Sequence, residues 1–342
     1  MPDTYIRSVG TALPGPPIDN AALARRFNQG AVWQQWVESF VGTRVRHLAL
    51  DLETGEQRSS LADLGEAAAR RALSGAGVDA ASVDLVVMGT ATPDALMPAT
   101  VNLIADRLGI NEVPAYQLQS GCTGAVQALD VARQMLLTGR HRTALVLGGD
   151  VCAKHFDVNL DLAGRPPAEQ VNGVLFGDGA GAAVMSVDPG AGLPLRIEHV
   201  LLRLTGMNRP PGQVVDWFGM ADRGDERPGV LEDYKAIEES VPDMAVEILE
   251  EMLADLDWKR SELAYLLPPQ LSGRMTQRIS ERMAVPDARE VSCVADTGNN
   301  GNALPFLQLE QALPLMSPGD RSVLVAVESS KWIKAGLAFE AG

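Results

Sequence analysis

Cys122 stands between two glycines in Gln119-Ser120-Gly121-Cys122-Thr123-Gly124-Ala125, where an extended run (113–118) gives way to a helical one. A thiol in that setting could serve as a nucleophile. From Ala125 the apolar residues Val126, Leu129, Val131, Ala132, Met135 and Leu136 share one helical face, which predicts Cys122 at or near a helix N-terminus. Free backbone N–H groups and the positive end of the macrodipole favour a thiolate there. Gly121 and Gly124 let the backbone bend sharply and let a ligand approach closely. A buried small residue opening a helix fits the same residues, since free cysteine is among the most buried types.

The elements that must position this cysteine come in two similar sets. In the first, strands are predicted at 5–12, 84–90, 113–118 and 144–150, and helices at 20–28, 31–40, 60–74 and 98–108. In the second, a helix at 241–256 precedes a strand at 264–267, and a helix at 304–315 precedes a strand at 322–327. The helix-to-strand pairs of the two sets are offset by about 178 residues, which points to one duplicated α/β unit. In the duplicate the place of Cys122 falls at Asn299-Asn300, so two equivalent helix starts would face one site, one offering sulfur and the other amides. Between the sets, Gly173 to Val184 is glycine-rich but lacks the Lys-Ser/Thr of a phosphate loop, and reads as a tight turn with close strand packing. The stretch 203–229, with Trp217 and Phe218, reads as a long loop that could face a substrate.

Composition narrows the function. A net charge of −15 argues against non-specific nucleic-acid binding, and any anionic partner needs a local basic patch. Three cysteines, an odd number in a long chain, point to a reducing compartment without a disulfide framework. No signal-like N-terminus and no membrane-length apolar run is present, so a soluble, cytoplasmic protein is expected.

Taken together, the motifs resemble the thiolase-fold condensing enzymes, most closely the beta-ketoacyl-ACP synthase III group and its acyltransferase relatives. The resemblance rests on Trp36 to His47, Ser120-Gly121-Cys122-Thr123-Gly124, Leu147-Gly148-Gly149-Asp150, Phe176 to Ala182 and Gly298-Asn299, and spans nearly the full length. It implies an α/β, duplicated thiolase-like αβαβα five-layer fold, with an N-terminal half (1–190) carrying the Cys nucleophile and a C-terminal half (191–342) carrying the Asn motif. It also implies a homodimer. Cys122 would take an acyl group as a thioester. The family pairs its Cys with a His and an Asn, which stabilise the enolate when a malonyl extender loses CO2, and Asn299 matches that Asn.

Two departures matter. In Leu267-Pro268-Pro269-Gln270-Leu271-Ser272-Gly273-Arg274 the place of the family His is taken by Pro269, which has neither donor nor base. Such a group typically contributes ~10²–10⁴-fold, so decarboxylative condensation should be crippled. The family's glycine-rich turn after its last central strand, which supplies an oxyanion N–H, reads Glu328-Ser329-Ser330-Lys331-Trp332 here, with the N–H expected from near Ser330. His155 and Asp296 are the candidate substitute acids or bases; His47 reads as structural, His141 as solvated, and His199 as part of an irregular link. By the resemblance Trp36 would stack on the CoA adenine, and Lys154 and Arg274 would meet CoA or pantetheine phosphates. Phe40 replaces a usual Arg, which leans toward an acyl carrier protein donor. Met97 would reach across the dimer to cap the acyl pocket, a core methionine being the alternative.

The expected function is an acyltransferase of specialised, polyketide-type metabolism. It would load Cys122 from acyl-ACP or acyl-CoA, without a cofactor or a metal, and pass the acyl group to a non-malonyl hydroxyl, amine or thiol. Two alternatives stand beside it: a condensing enzyme that makes a C–C bond with an already acidic carbon nucleophile, and a non-catalytic partner of a second ketosynthase.

Overall fold

A computed structural model describes residues 3–155, 157–159, 161–162, 165, 167–217 and 229–342. The first half contributes β1 (Tyr5–Ala12), the short pair β2 (Ile18–Asp19) and β3 (Val45–Arg46), then β4 (Leu85–Thr90), β5 (Ala115–Gln119), β6 (Thr143–Asp150) and β7 (Gly179–Ser186). The second contributes β8 (Leu195–Leu204), β9 (Gln213–Val215), β10 (Val230–Glu232), β11 (Leu263–Leu267), β12 (Arg289–Glu290), β13 (Arg321–Glu328) and β14 (Ile333–Ala341). The helices are α1 (Asn20–Arg26), α2 (Ala31–Trp36), α3 (Leu61–Ala76), α4 (Thr100–Leu108), α5 (Gly124–Leu137) and α6 (Pro167–Leu175), followed by α7 (Tyr234–Leu256), α8 (Gly273–Met283), α9 (Val294–Thr297) and α10 (Leu304–Ala312).

Ten strands form one sheet in the order β12-β11-β13-β14-β8-β1-β7-β6-β4-β5. Its two halves repeat one plan. β4 runs parallel to β5 and β6, and β7 antiparallel to β6 and β1. In the same way β11 runs parallel to β12 and β13, and β14 antiparallel to β13 and β8. Leu85 and Leu263 open equivalent strands 178 positions apart, as do Thr143 and Arg321. The half-sheets meet through a short ladder, Tyr5 with Arg196 and Ile6 with Leu195.

Strand alternation builds the layers, because successive side chains leave opposite faces. Inward, Leu85, Val87, Leu324 and Leu337 share a fully buried cluster with Val126 and Leu129 of α5 and Phe306 of α10. Outward, Val86 and Met88 pack with Ala68 of α3 and Ile104 of α4, while Val323 packs with Ile248 of α7 and Ile279 of α8. The order is therefore helices, half-sheet, α5 and α10, half-sheet, helices: the duplicated five-layer αβαβα arrangement. Ser60 opens α3 with a capping box to Asp63, satisfying two backbone donors.

Several local expectations change. The helix read as 241–256 begins at Tyr234, because Asp233 caps Ala236 N–H and the helix runs through the buried Pro242. The helix read as 31–40 ends at Trp36 and continues as a π turn over Val37–Val41. His199 belongs to β8 and faces Asp255 at 3.3 Å rather than an irregular link. His141 is half-buried, with Nδ1 3.0 Å from the Asp84 carbonyl. Within 203–229, Gln213–Val215 pairs antiparallel with Val230–Glu232 as a two-stranded ribbon, and Phe218 lies outside the described residues.

Candidate active site

The turn that carries Cys122 is built by one half and held by the other. β5 ends at Gln119, Ser120 N–H bonds to the Thr90 carbonyl at 3.2 Å, and Gly124 N–H bonds back to the Gly121 carbonyl at 2.9 Å before α5 begins. From the second half, Asn302 spans the turn. Its Nδ2 donates to the Ser120 carbonyl at 3.1 Å and its Oδ1 accepts from Ala125 N–H at 2.8 Å. Asn302 is itself held by Asp150 at the end of β6, which accepts from its backbone N–H at 2.8 Å and its Nδ2 at 2.9 Å. Glu328, at the end of β13, is 4 % exposed and accepts from Ser120 Oγ at 2.8 Å and Thr123 Oγ1 at 2.6 Å. A Cβ on Gly121 would stand 3.1 Å from the Glu328 carboxyl carbon, so the close approach depends on glycine there.

Cys122 and Asn299 open into one cavity of about 670 Å³, whose walls include Trp36, Phe40, Arg274 and Ser329. That volume lies within the range of small-molecule sites. Asn299 is buried, and its Oδ1 accepts from Gly301 N–H at 3.1 Å, so its amide N–H2 is the donor it has to offer a ligand. Gln270 fixes this loop by accepting from the N–H groups of Cys293 at 2.9 Å and Val294 at 3.0 Å. Gly42, at φ +76°, joins the Trp36 segment to α8, where an added Cβ would come within 2.7 Å of Arg274 N. Trp36 and Arg274 therefore flank one opening. A narrower cleft brings Cys122 beside Pro269, the residue in place of an imidazole.

The electrostatics reverse one expectation. Burial pushes the Cys122 thiol up to about 12, and the charge of Glu328 adds to the rise. The start of α5 is only two residues away, but desolvation and a facing carboxylate outweigh its N–H groups, so the resting group is a thiol.

Other expected site residues do not converge. Asp296 makes a two-pronged pair with Arg44 at 2.7 Å, with 61 % of its side chain exposed, which places it in a surface ion pair rather than in the cavity. Lys154 donates to the carbonyls of Thr92 at 3.0 Å and Pro93 at 2.5 Å and lies 3.4 Å from Asp94; its charge holds a loop instead of a carrier phosphate. His155 is exposed and absent from the cavity walls. Ser329, not Ser330, lines the cavity, and Ser330 Oγ donates to Glu328. Met97 is 86 % exposed and lines no part of its own chain's cavity.

Sequence reasoning passed over Asn302, Asp150 and Glu328 as site residues. Asn302 had a signal, since it is the duplicate of Gly124 in register, and Glu328 likewise duplicates Asp150; what no pattern gave is the bond of Glu328 to Thr123, 205 positions away.

Among the described residues no helix is long and apolar enough to cross a membrane, and no cluster of His, Cys, Asp and Glu could hold a metal ion. Residues 116–197 match the family described as 3-oxoacyl-[acyl-carrier-protein (ACP)] synthase III, and residues 253–330 match its C-terminal counterpart. The beta-ketoacyl-[acyl-carrier-protein] synthase III of Rhodospirillum centenum is 33% identical over 321 residues, covering 91% of this chain and 90% of the relative. Among solved structures, the tetronic acid condensing enzyme AbyA1 is 57% identical with a TM-score of 0.96, covering 98% of this chain and 99% of that one. A priming beta-ketosynthase of a polyketide biosynthetic pathway is 25% identical with a TM-score of 0.82, covering 98% and 96%. The chain belongs to the beta-ketoacyl-[acyl-carrier-protein] synthase III family of enzymes.

Proposed function

We propose that this enzyme joins an acyl group held on Cys122 to an already acidic carbon of a carrier-bound β-ketoacyl acceptor, giving a tetronic acid-type product in specialised metabolism. The observation that carries this reading is Pro269 beside Cys122. Loss of CO2 from a malonyl unit leaves an enolate that needs a placed donor. A carbon between two carbonyls delocalises its own negative charge and makes less demand on the site. The 57% identity with a tetronic acid condensing enzyme supports the choice. A tetronic acid is a five-membered lactone carrying a β-dicarbonyl, so one C–C and one C–O acyl bond close it. An α-hydroxyacyl thioester and a β-ketoacyl thioester supply those atoms.

The residues divide the work. The Cys122 sulfur attacks the donor thioester, and its proton leaves with the departing thiol. Asn299 orients the new thioester through its amide N–H2. The carrier arm, of an acyl carrier protein in preference to CoA, enters between Trp36 and Arg274. The acceptor carbon then displaces Cys122. The hydroxyl of the transferred unit next attacks the acceptor's carrier thioester and expels the carrier thiol. A homodimer in which Met97 reaches the partner's pocket completes this reading.

The same lack of an imidazole also favours simple transfer to a hydroxyl, amine or thiol. Intact-protein mass after incubation with α-hydroxyacyl and plain acyl donors, on carrier protein and on CoA, separates these outcomes, with Cys122→Ala as control. The expected result is a Cys122-dependent increment that is discharged by a β-ketoacyl carrier, with a product containing a new C–C bond. A product joined only through O, N or S would establish acyl transfer. A chain that no donor labels would point to a partner subunit and sink both.

A further inference from the structure

Resting on that reading, we propose that Glu232, a carboxylate on the cavity wall, is the proton acceptor of the condensation step. A carbon acid bound in this cavity still has to lose its proton, and Pro269 cannot take it. Three carboxylates line the cavity among the described residues: Glu232, Glu238 and Glu281. Glu238 is engaged by Arg278 at 2.8 Å and Glu281 by Gln277 at 3.0 Å, both pairs exposed. Glu232 alone of the three is half-buried.

The surroundings of Glu232 fit a working group better than a structural one. It ends β10, in the ribbon that pairs with β9, and so reaches the cavity from outside the two half-sheets. Its Oε1 accepts from Gln213 Nε2 on the facing strand. Its Oε2 is buried and accepts nothing at hydrogen-bond geometry. Tyr234 of α7 and Asn172 of α6 stand beside it and, with Gln213, favour its charged form, while the Tyr234 hydroxyl donates to Asn172 Oδ1. A buried carboxylate oxygen without a partner is costly, and a proton relieves that cost. Burial outweighs these hydrogen bonds and raises the Glu232 carboxyl from its ordinary value, the direction that suits a general base. Its charge also reaches Cys122 across the cavity, where it adds to the raising of the thiol.

The step balances within the site. The acceptor's C–H bond breaks, its proton goes to Glu232, and the electron pair attacks the carbonyl of the Cys122 thioester. The C–S bond breaks, Cys122 leaves as a thiolate, and that thiolate takes the proton back from Glu232. Both groups return to their resting state without an outside reactant.

The test separates the two half-reactions. Wild type, Glu232→Gln and Glu232→Asp are loaded with an α-hydroxyacyl donor, and the acyl-enzyme is followed by mass before and after a β-ketoacyl carrier is added. Expected for Glu232→Gln is labelling of Cys122, which also reports a folded site, with discharge slowed by ~10²–10⁴-fold. In wild type the discharge rate rises with pH as Glu232 ionises; this limb disappears in Glu232→Gln and returns in Glu232→Asp. Discharge by Glu232→Gln within about threefold of wild type would overturn the assignment, as would failure of Glu232→Gln to label at all. A wild type that neither labels nor condenses would instead sink the proposed function, so the two failures are distinct.

Discussion

Glu328 and Thr123 are hydrogen-bonded at 2.6 Å, hydroxyl to carboxylate, although 205 positions separate them. The bond ties the end of β13 to the turn that presents Cys122 and sets a negative charge against its sulfur. Glu328→Gln keeps a hydrogen-bonding group there and removes the charge. Its effect on Cys122 is therefore electrostatic: the thiol should ionise below about 12, with thiolate present at lower pH. Alkylation by iodoacetamide at pH 8 should accelerate roughly tenfold for each pH unit of that change. The rate measured against pH checks it, and an unmoved profile would show that the charge does not reach the sulfur.

Asn302 carries a different load. Removing its side chain in Asn302→Ala leaves the Ser120 carbonyl, Ala125 N–H and one oxygen of the buried Asp150 short of a partner. The expected cost is about 2–4 kcal/mol of stability, read by denaturant unfolding. Acylation of Cys122 should fall by a larger factor than the loss of folded protein explains, because the turn itself loosens.

Pro269 beside Cys122 predicts its own rescue. The wild type should not decarboxylate a malonyl thioester above the uncatalysed rate. Pro269→His places an imidazole in the narrow cleft and should raise malonyl decarboxylation by at least about tenfold, short of the ~10²–10⁴-fold of an evolved group. Release of labelled CO2 measures it, and an unchanged rate would show that the cleft cannot present the ring.

Asp296 and Arg274 make a matched pair of controls. Asp296→Ala removes an exposed ion pair with Arg44, and stability should change by no more than about 1 kcal/mol, with acylation rate unaltered. Arg274→Ala removes a cation from the cavity opening and should raise KM for carrier-bound donors while leaving kcat near wild type. An Asp296→Ala enzyme that loses turnover would return that carboxylate to the site.

Much of the architecture was legible in the amino-acid order because periodicity is a local property. Alternating and helical apolar patterns, repeated 178 positions apart, carry the duplicated half-sheets, and the glycines around Cys122 mark the turn. Cys122, Asn299, Trp36 and Arg274, which the motifs singled out, line one cavity, and Pro269 lines a narrower cleft with Cys122. Charge and orientation were decided elsewhere. Asp296 lies three positions from Asn299 yet turns outward to Arg44, and Lys154 folds back onto the carbonyls of Thr92 and Pro93. Glu232 shares the cavity with Cys122 from β10, in a ribbon that no local pattern relates to that turn, and Glu328, the duplicate of Asp150, meets the turn only in the folded chain. The ionisation of Cys122 shows the reason most directly. Its neighbours in the chain favour a thiolate, whereas desolvation and a carboxylate two hundred positions away favour the thiol. Electrostatic energy depends on distance through space and on exclusion of water, and only the folded chain sets either one.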